Sequence, residues 1–247
     1  MIDGTPPDRA RPIEPDDPAI TLGISAFETM RTYQQRLPLL PLHHKRLTQS
    51  ADRLGLTAPP LSTLEEELAM LLEGLPAGEE AAVRITLTGG GRRILRASPA
   101  PAPFPTLACA LRPWAPVLGL ETVKHGSRAG WVVSVRDSGA DDVIWLDGSG
   151  RLREASCGAV LARVGGRWVS PPDDGTILPS VTIQMLEGLI EIERRAARMA
   201  EVEGLWLCSS LKLAAAVASI DGRPVPTEPA AGRRLVAAVR RWAGGLL

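Results

Sequence analysis

Residues 139–164 read GADDVIWLDGSGRLREASCGAVLARV, and this stretch decides the fold. The run 143–146 is apolar and of strand length, and Asp147-Gly148-Ser149-Gly150 is a cluster of turn formers. The chain then returns, so the spacing predicts a second extended run within 151–164. Glu154 lies inside that return, between Arg153 and Ala155. An inward-facing carboxylate on a strand needs a partner. A neighbouring arginine would serve, and so would a protonated ring nitrogen.

Working outward toward the C-terminus, Gly165-Gly166 marks another turn before a strand at 167–170. ILPSVT (177–182) leads into a helix with Met185, Leu186, Leu189 and Ile190 on one face. A strand at 205–208 is followed by Ser209-Ser210-Leu211, a turn at 220–225 and a terminal helix at 235–242. Toward the N-terminus, residues 1–18 read as a loose leader. FETMRTY (27–33) alternates as a half-buried strand, with a turn at Gln34-Gln35-Arg36 and a paired return at 37–40. Leu42, Leu47, Ala51 and Leu54 mark one face of a helix that Gly55 stops. Ser62 and Glu65 predict a capping box for a second helix with Leu64, Leu68, Leu71 and Leu72 on its stripe. A strand at 82–88 precedes the flexible run Gly89-Gly90-Gly91. Residues 98–105 are extended and Pro-rich, 106–111 is a strand, and 113–119 reads as a connector. The expectation is an α+β protein in two halves joined near 112–120.

The 247 residues carry 28 basic and 28 acidic side chains, so the formal net charge is zero. That balance gives no electrostatic reason for a nucleic-acid or acidic-membrane partner. No apolar run approaches the roughly 18 residues a membrane span requires. The acidic, Pro-rich start has no apolar core of a secretory signal, so cytoplasm is the expected compartment. Cys109, Cys157 and Cys208 are far apart without a CxxC, which predicts buried free thiols rather than disulfides or zinc. His43, His44 and His125 show no ligand spacing either, so no metal is expected. Only three lysines occur, Lys45, Lys124 and Lys212, so chemistry needing a primary amine has three candidates.

Several segments could carry chemistry. In ILPSVT, Ser180 or Thr182 can cap the helix, whose first N–H groups suit an anion; an ordinary capped helix is the plainer reading. The Ser209-Ser210 pair is a second hydroxyl-rich turn. Lys124, in TVKHGSRAGW, could form a Schiff base if held in a site, or simply be solvated. Arg46 shares a helix with His43 and could grip phosphate through its fork, although HHKR equally describes a solvated face. Arg92 and Arg93 could bind a substrate carboxylate or stand exposed.

The order of these pieces is more specific than any one of them. FETMR, then HxxRL (43–47), RITLT, Lys124, the 139–156 block, VSPPDDGTILPSVT and CSSLKLAAAV…IDGRPV together resemble the class IV aminotransferases, the fold-type IV pyridoxal-phosphate enzymes. The resemblance runs from about residue 21 to 226. It implies two α/β domains with pyridoxal 5'-phosphate in the cleft between them: a smaller one at 1–112, a connector at 113–120, and a larger one at 121–247 carrying the cofactor lysine. Position by position, Lys124 resembles the Schiff-base lysine, and Glu154 the carboxylate facing the pyridine nitrogen. Arg46, Val181, Thr182 and Ser210 resemble the phosphate cradle. Arg92 or Arg93 sits where some members bind a substrate carboxylate.

There are departures. The family often reads E-x-x-x-S-N after the glutamate, where this chain has Gly158 and Ala159. ILPGITR becomes ILPSVTI, and a Pro-Val becomes Ala216-Val217. The compact length and the SSLKLAAAV…IDGRPV ending most resemble 4-amino-4-deoxychorismate lyase, which releases 4-aminobenzoate, a folate precursor, and pyruvate. An aminotransferase acting on branched-chain or D-amino acids is the alternative, and a non-catalytic homologue is the reading that the Gly158–Ala159 departure suggests. The resemblance further implies a small-molecule amine substrate and a homodimer.

Overall fold

The computed structural model describes residues 1–76, 79–114, 119–226 and 229–245, apart from the side chains of 229 and 243–245. The chain divides into two units: Met1–Pro101 with Val123–Arg128, and Ala102–Thr122 with Ala129–Leu247.

The first unit contains α1 (Pro18–Thr21), β1 (Ser25–Arg31), α2 (Leu40–Arg53), α3 (Leu61–Glu73), β2 (Ala81–Thr88) and β3 (Arg93–Pro99). The strands form an antiparallel sheet in the order β1-β2-β3. Alternation along β1 puts Ala26, Glu28 and Met30 on one face. Ala26 and Met30 pack there with Val83, Ile85, Leu87 and Leu95 against Leu47 and Ala51 of α2 and Leu64 and Leu68 of α3. Burying each large side chain contributes roughly 1.5–3 kcal/mol. Residues 124–126 run along β1: the Phe27 N–H donates to the Lys124 carbonyl at 2.9 Å, and the Gly126 N–H to that of Ser25 at 2.8 Å.

The second unit contains β4 (Thr106–Pro113), α4 (Ala129–Ser138), β5 (Asp142–Leu146), β6 (Leu152–Ala155), β7 (Gly158–Val164), β8 (Arg167–Ser170), α5 (Val181–Glu187), β9 (Ile192–Arg194), β10 (Gly204–Ser209), β11 (Leu213–Ile220), β12 (Arg223–Pro224) and α6 (Pro229–Gly245). Six strands close on themselves in the order β7-β10-β11-β4-β5-β6, because β7 pairs with both β10 and β6. Closure removes the unpaired edges an open sheet would leave. The core holds Leu107, Ile144, Leu152, Val160, Leu205, Leu207 and Val217, with Ala162 and Ala215 as small fillers. No helix among the described residues is long and apolar enough to cross a membrane.

The structure revises several expectations. Strand β4 belongs to the second unit, because it pairs in parallel with β5 and β11. Lys124 groups with the first unit, because its segment bonds along β1. The boundary therefore falls after Pro101 rather than near 112, and the expected connector lies partly outside the described residues. The run 37–40 does not return as a strand: β1 pairs with β2 instead, and α2 begins at Leu40. The expected capping box at Ser62 is replaced by a Pro60 N-cap without a side-chain bond. AGWVVSVRDS forms α4 although its valines favour strands. Cys109 and Cys208 are buried free thiols, while Cys157 is exposed.

Candidate active site

Glu28 sits on the core face of β1 and is fully buried. Burial of a lone carboxylate would be prohibitive, and α2 supplies the answer. His43 and Arg46, three residues apart, share one helix face. Arg46 donates from Nε to Glu28 Oε1 and from Nη2 to Oε2, both at 2.7 Å, a bidentate fork. His43 Nδ1 lies 2.7 Å from Oε2. Burial pushes the Glu28 carboxyl up, but the Arg46 charge and hydrogen bonds and the His43 bond outweigh it and hold it down to about 2. Burial lowers the His43 ring below its usual value, helped by the Arg46 and Lys124 charges and opposed by Glu28. A neutral ring beside an ionised carboxylate places its proton on Nδ1. The HHKR segment is therefore not a solvated face: His43 and Arg46 are buried.

Lys124 stands next to this cluster in the same unit. Its N–H donates to Ser50 Oγ on α2 at 3.0 Å, and its carbonyl accepts from β1, so the backbone is pinned from both sides. Its Nζ lies 4.8 Å from the centre of the Phe27 ring, and the Arg84 guanidinium lies 3.7 Å from the same centre. Burial and the Arg128 charge lower the Arg84 pKa, against the pull of Glu28.

The glycine run is closely packed at its first two positions. A Cβ on Gly89 would come within 2.6 Å of Pro18, and one on Gly90 within 2.5 Å of Asp17. Asp17 accepts from Thr88 Oγ1 at 2.6 Å and from the Gly90 N–H at 3.0 Å. Beyond it, Arg92 donates to Asp3 and to the carbonyls of Arg11 and Pro12, while Arg93 forks onto Glu67 of α3. Both guanidinium groups tie their own unit together.

In the second unit, Glu154 on β6 is half-buried and accepts the Leu178 N–H at 3.4 Å, linking β6 to the ILPS segment. Ser180 caps α5 by accepting from the Ile183 N–H at 3.2 Å. Val181 and Thr182, in the first turn, are buried, and α5 packs against β7 and β10. Ser209 Oγ accepts the Lys212 N–H at 3.3 Å in the turn that carries Ser210. Leu213 leaves that turn with φ +61, a left-handed conformation costly for a bulky residue. The Gly158 departure has a local cause: a Cβ there would lie 2.9 Å from the Cys208 carbonyl oxygen on the paired strand β10.

Within the first unit the structure thus gathers Lys124 and Arg46 about one cluster, and within the second Glu154 meets the segment leading to Val181 and Thr182. Sequence reasoning missed Glu28, His43 as its partner, Phe27 and Ser50. The available signal was a glutamate on the apolar face of FETMR.

A family model described as amino-transferase class IV matches residues 25–220. The bifunctional aminodeoxychorismate lyase / D-amino acid transaminase of Mycobacterium tuberculosis is 27% identical over 259 residues, covering 87% of this chain and 88% of that protein. A solved structure of a hypothetical aminotransferase from Mycobacterium tuberculosis, apo form, matches with a TM-score of 0.83 at 25% identity over 93% of each chain. The branched-chain aminotransferase from Thermoproteus uzoniensis with norvaline shares the fold with a TM-score of 0.87 at 18% identity, over 99% of this chain and 94% of that one. The family model spans both the cluster around Lys124 and the Glu154 strand, so this chain belongs to the class IV aminotransferase family, enzymes of fold type IV that use pyridoxal 5'-phosphate.

Proposed function

We propose that the protein is a 4-amino-4-deoxychorismate lyase that releases 4-aminobenzoate and pyruvate. The observation that carries this reading is the likeness, over 87% of this chain and 88% of that protein, to a relative described as both such a lyase and a D-amino acid transaminase. The chain's own residues fit the cofactor's chemistry. Lys124 supplies a primary amine on a pinned backbone, Glu154 a half-buried carboxylate with a long backbone bond, and Thr182 a buried hydroxyl in the first turn of a helix capped by Ser180.

In this reading Lys124 Nζ would hold the cofactor and would serve as general base and acid at the substrate. Glu154 would hold the cofactor's ring nitrogen. The Val181 and Thr182 backbone, the Thr182 hydroxyl and Ser210 would bind the phosphate, with Arg46 reaching it from its Nη1 edge, because Glu28 holds its Nε and Nη2. The bound cofactor supplies an electron sink for charge developing on the substrate. Glu28 and His43 are positioning residues, because they fix the plane of the Arg46 fork. Arg92 and Arg93 are left out of the substrate set, since each is held by partners of its own unit. The substrate is a small amine, and the working assembly is a homodimer.

The test is incubation of the pyridoxal-phosphate-loaded protein with 4-amino-4-deoxychorismate, reading both products. Equal release of 4-aminobenzoate and pyruvate, absent in Lys124→Ala, is expected. The same relative's second activity favours the transaminase alternative. Loss of the yellow colour on adding an amino acid alone, with no release of 4-aminobenzoate from the chorismate substrate, would replace the lyase reading with it.

A further inference from the structure

The second unit holds a recess of about 570 Å³ that none of Glu154, Val181, Thr182 and Ser210 lines. That size suits a small-molecule ligand. Five arginines line it: Arg151, Arg153, Arg194, Arg195 and Arg198. Two are neutralised, Arg194 by Glu187 at 2.6 Å and Arg195 by Glu201 at 3.1 Å. Among the described residues no carboxylate lies within ion-pair distance of the other three.

Three carboxylates, Asp147, Asp174 and Glu201, also line the recess, and each accepts bonds from its own turn. Asp147 accepts from the Ser149 and Arg151 N–H groups and the Ser149 hydroxyl. Asp174 accepts from the Thr176 N–H and hydroxyl, and Glu201 from the Arg198 N–H. Arg151 and Arg198 face each other across an antiparallel bridge, a pairing of like charges that costs stability unless something offsets it. Arg153 lies over the Trp114 ring at 5.3 Å and donates to the Thr176 carbonyl. Its buried Nε–H has no acceptor among the described residues.

We propose that this recess is a binding site for a phosphate-bearing small molecule, with Arg151, Arg153 and Arg198 as its ligands. Guanidinium forks match phosphate oxygens two at a time, and a phosphate group offers three strong acceptors to three forks, where a carboxylate offers two. Three cations in one concavity also concentrate an anion before contact. The inference does not depend on which reaction the protein catalyses.

The experiment is calorimetric titration of inorganic pyrophosphate into the pyridoxal-phosphate-loaded protein, so that the cofactor's own phosphate cradle is filled. One saturable site per chain is expected. Arg151→Gln, Arg153→Gln and Arg198→Gln should each weaken it about tenfold, as loss of one charge-assisted bond does. Added salt should weaken it further, whereas Arg233→Gln on α6 should leave it unchanged. Thermal unfolding of each variant checks that it is folded. Absence of saturable heat, equal affinity in the three variants, or citrate binding as tightly as pyrophosphate would each overturn the proposal.

Discussion

Glu28 and Glu154 are both glutamates carried by strands, one in each unit, and their surroundings are opposite. Glu28 is fully buried and receives two donors from Arg46 and a third contact from His43, all at 2.7 Å. Glu154 is half-buried and accepts a backbone N–H at 3.4 Å, beyond the usual 2.7–3.2 Å range. The first carboxylate is neutralised where it stands, so its work is structural: it fixes a helix to a sheet and orients an arginine. The second is only half-buried, and its bond to the Leu178 N–H is long. Burial and local charge, more than residue type, separate Glu28, which positions an arginine, from Glu154, for which we propose a place at the cofactor.

The largest break in that contrast comes from removing Glu28. Glu28→Ala leaves a buried guanidinium without its counter-charge, which costs about 3–5 kcal/mol. Differential scanning calorimetry should show Tm falling by roughly 6–20 °C for a chain of this size. Acid does the same work reversibly. The folded carboxyl titrates at about 2 against an ordinary 4.5. A depressed folded pKa contributes stability that is present above pH 4.5 and is lost as pH falls toward 2. The loss is about 3 kcal/mol. His43, held neutral by burial, acts with the same sign below its ordinary 6.5. Urea unfolding measured between pH 7 and 2.5 should show that slope, and Glu28→Gln should flatten it. An unchanged slope would mean the cluster is not the acid-labile element. On the other side, Glu154→Gln should leave Tm nearly unchanged while lowering kcat about 10- to 100-fold, the worth of one charge-assisted bond. Loss of stability with normal kcat would erase the contrast.

Much of this was legible in the sequence. The 143–146 strand, the Asp147–Gly150 turn, the 82–88 strand and the 42–54 helix follow from periodicity and turn chemistry, which are local. Strand β3 was missed although its partner β2 is adjacent, Arg93 pairing with Leu87; β4 was read as a strand at 106–111, but its parallel pairing with β5 and β11 was hidden because those partners are far away in sequence. The boundary error has the same origin, since only long-range bonds along β1 assign Lys124 to the first unit. The order of motifs singled out Lys124, Arg46 and Glu154; the structure places the first two in the first unit and Glu154 in the second. Glu28 was not, because a buried charge looks like an error in an apolar pattern until its partners are placed. The Gly158 departure was visible but not interpretable before β10 lay against it. Gly158→Ser should cost about 1–3 kcal/mol by overpacking against the Cys208 carbonyl, read as a lower Tm.

The smallest effects sharpen the same distinction for arginines. A cation that recognises substrate must be available to it, and Arg92 and Arg93 are not. Arg92 gathers Asp3 and two carbonyls of the leading segment, and Arg93 forks onto Glu67, whose side chain is almost wholly buried. Arg92→Ala should therefore lower stability by about 1 kcal/mol, the net worth of a partly exposed set of hydrogen bonds. Arg93→Ala should lower it somewhat more, because Glu67 is left unpaired. Steady-state kinetics of both variants should show KM within about twofold of the parent, as expected for substitutions away from the substrate. A tenfold rise in KM with Tm unchanged would return these residues to the substrate site and show that their pairs open when substrate arrives.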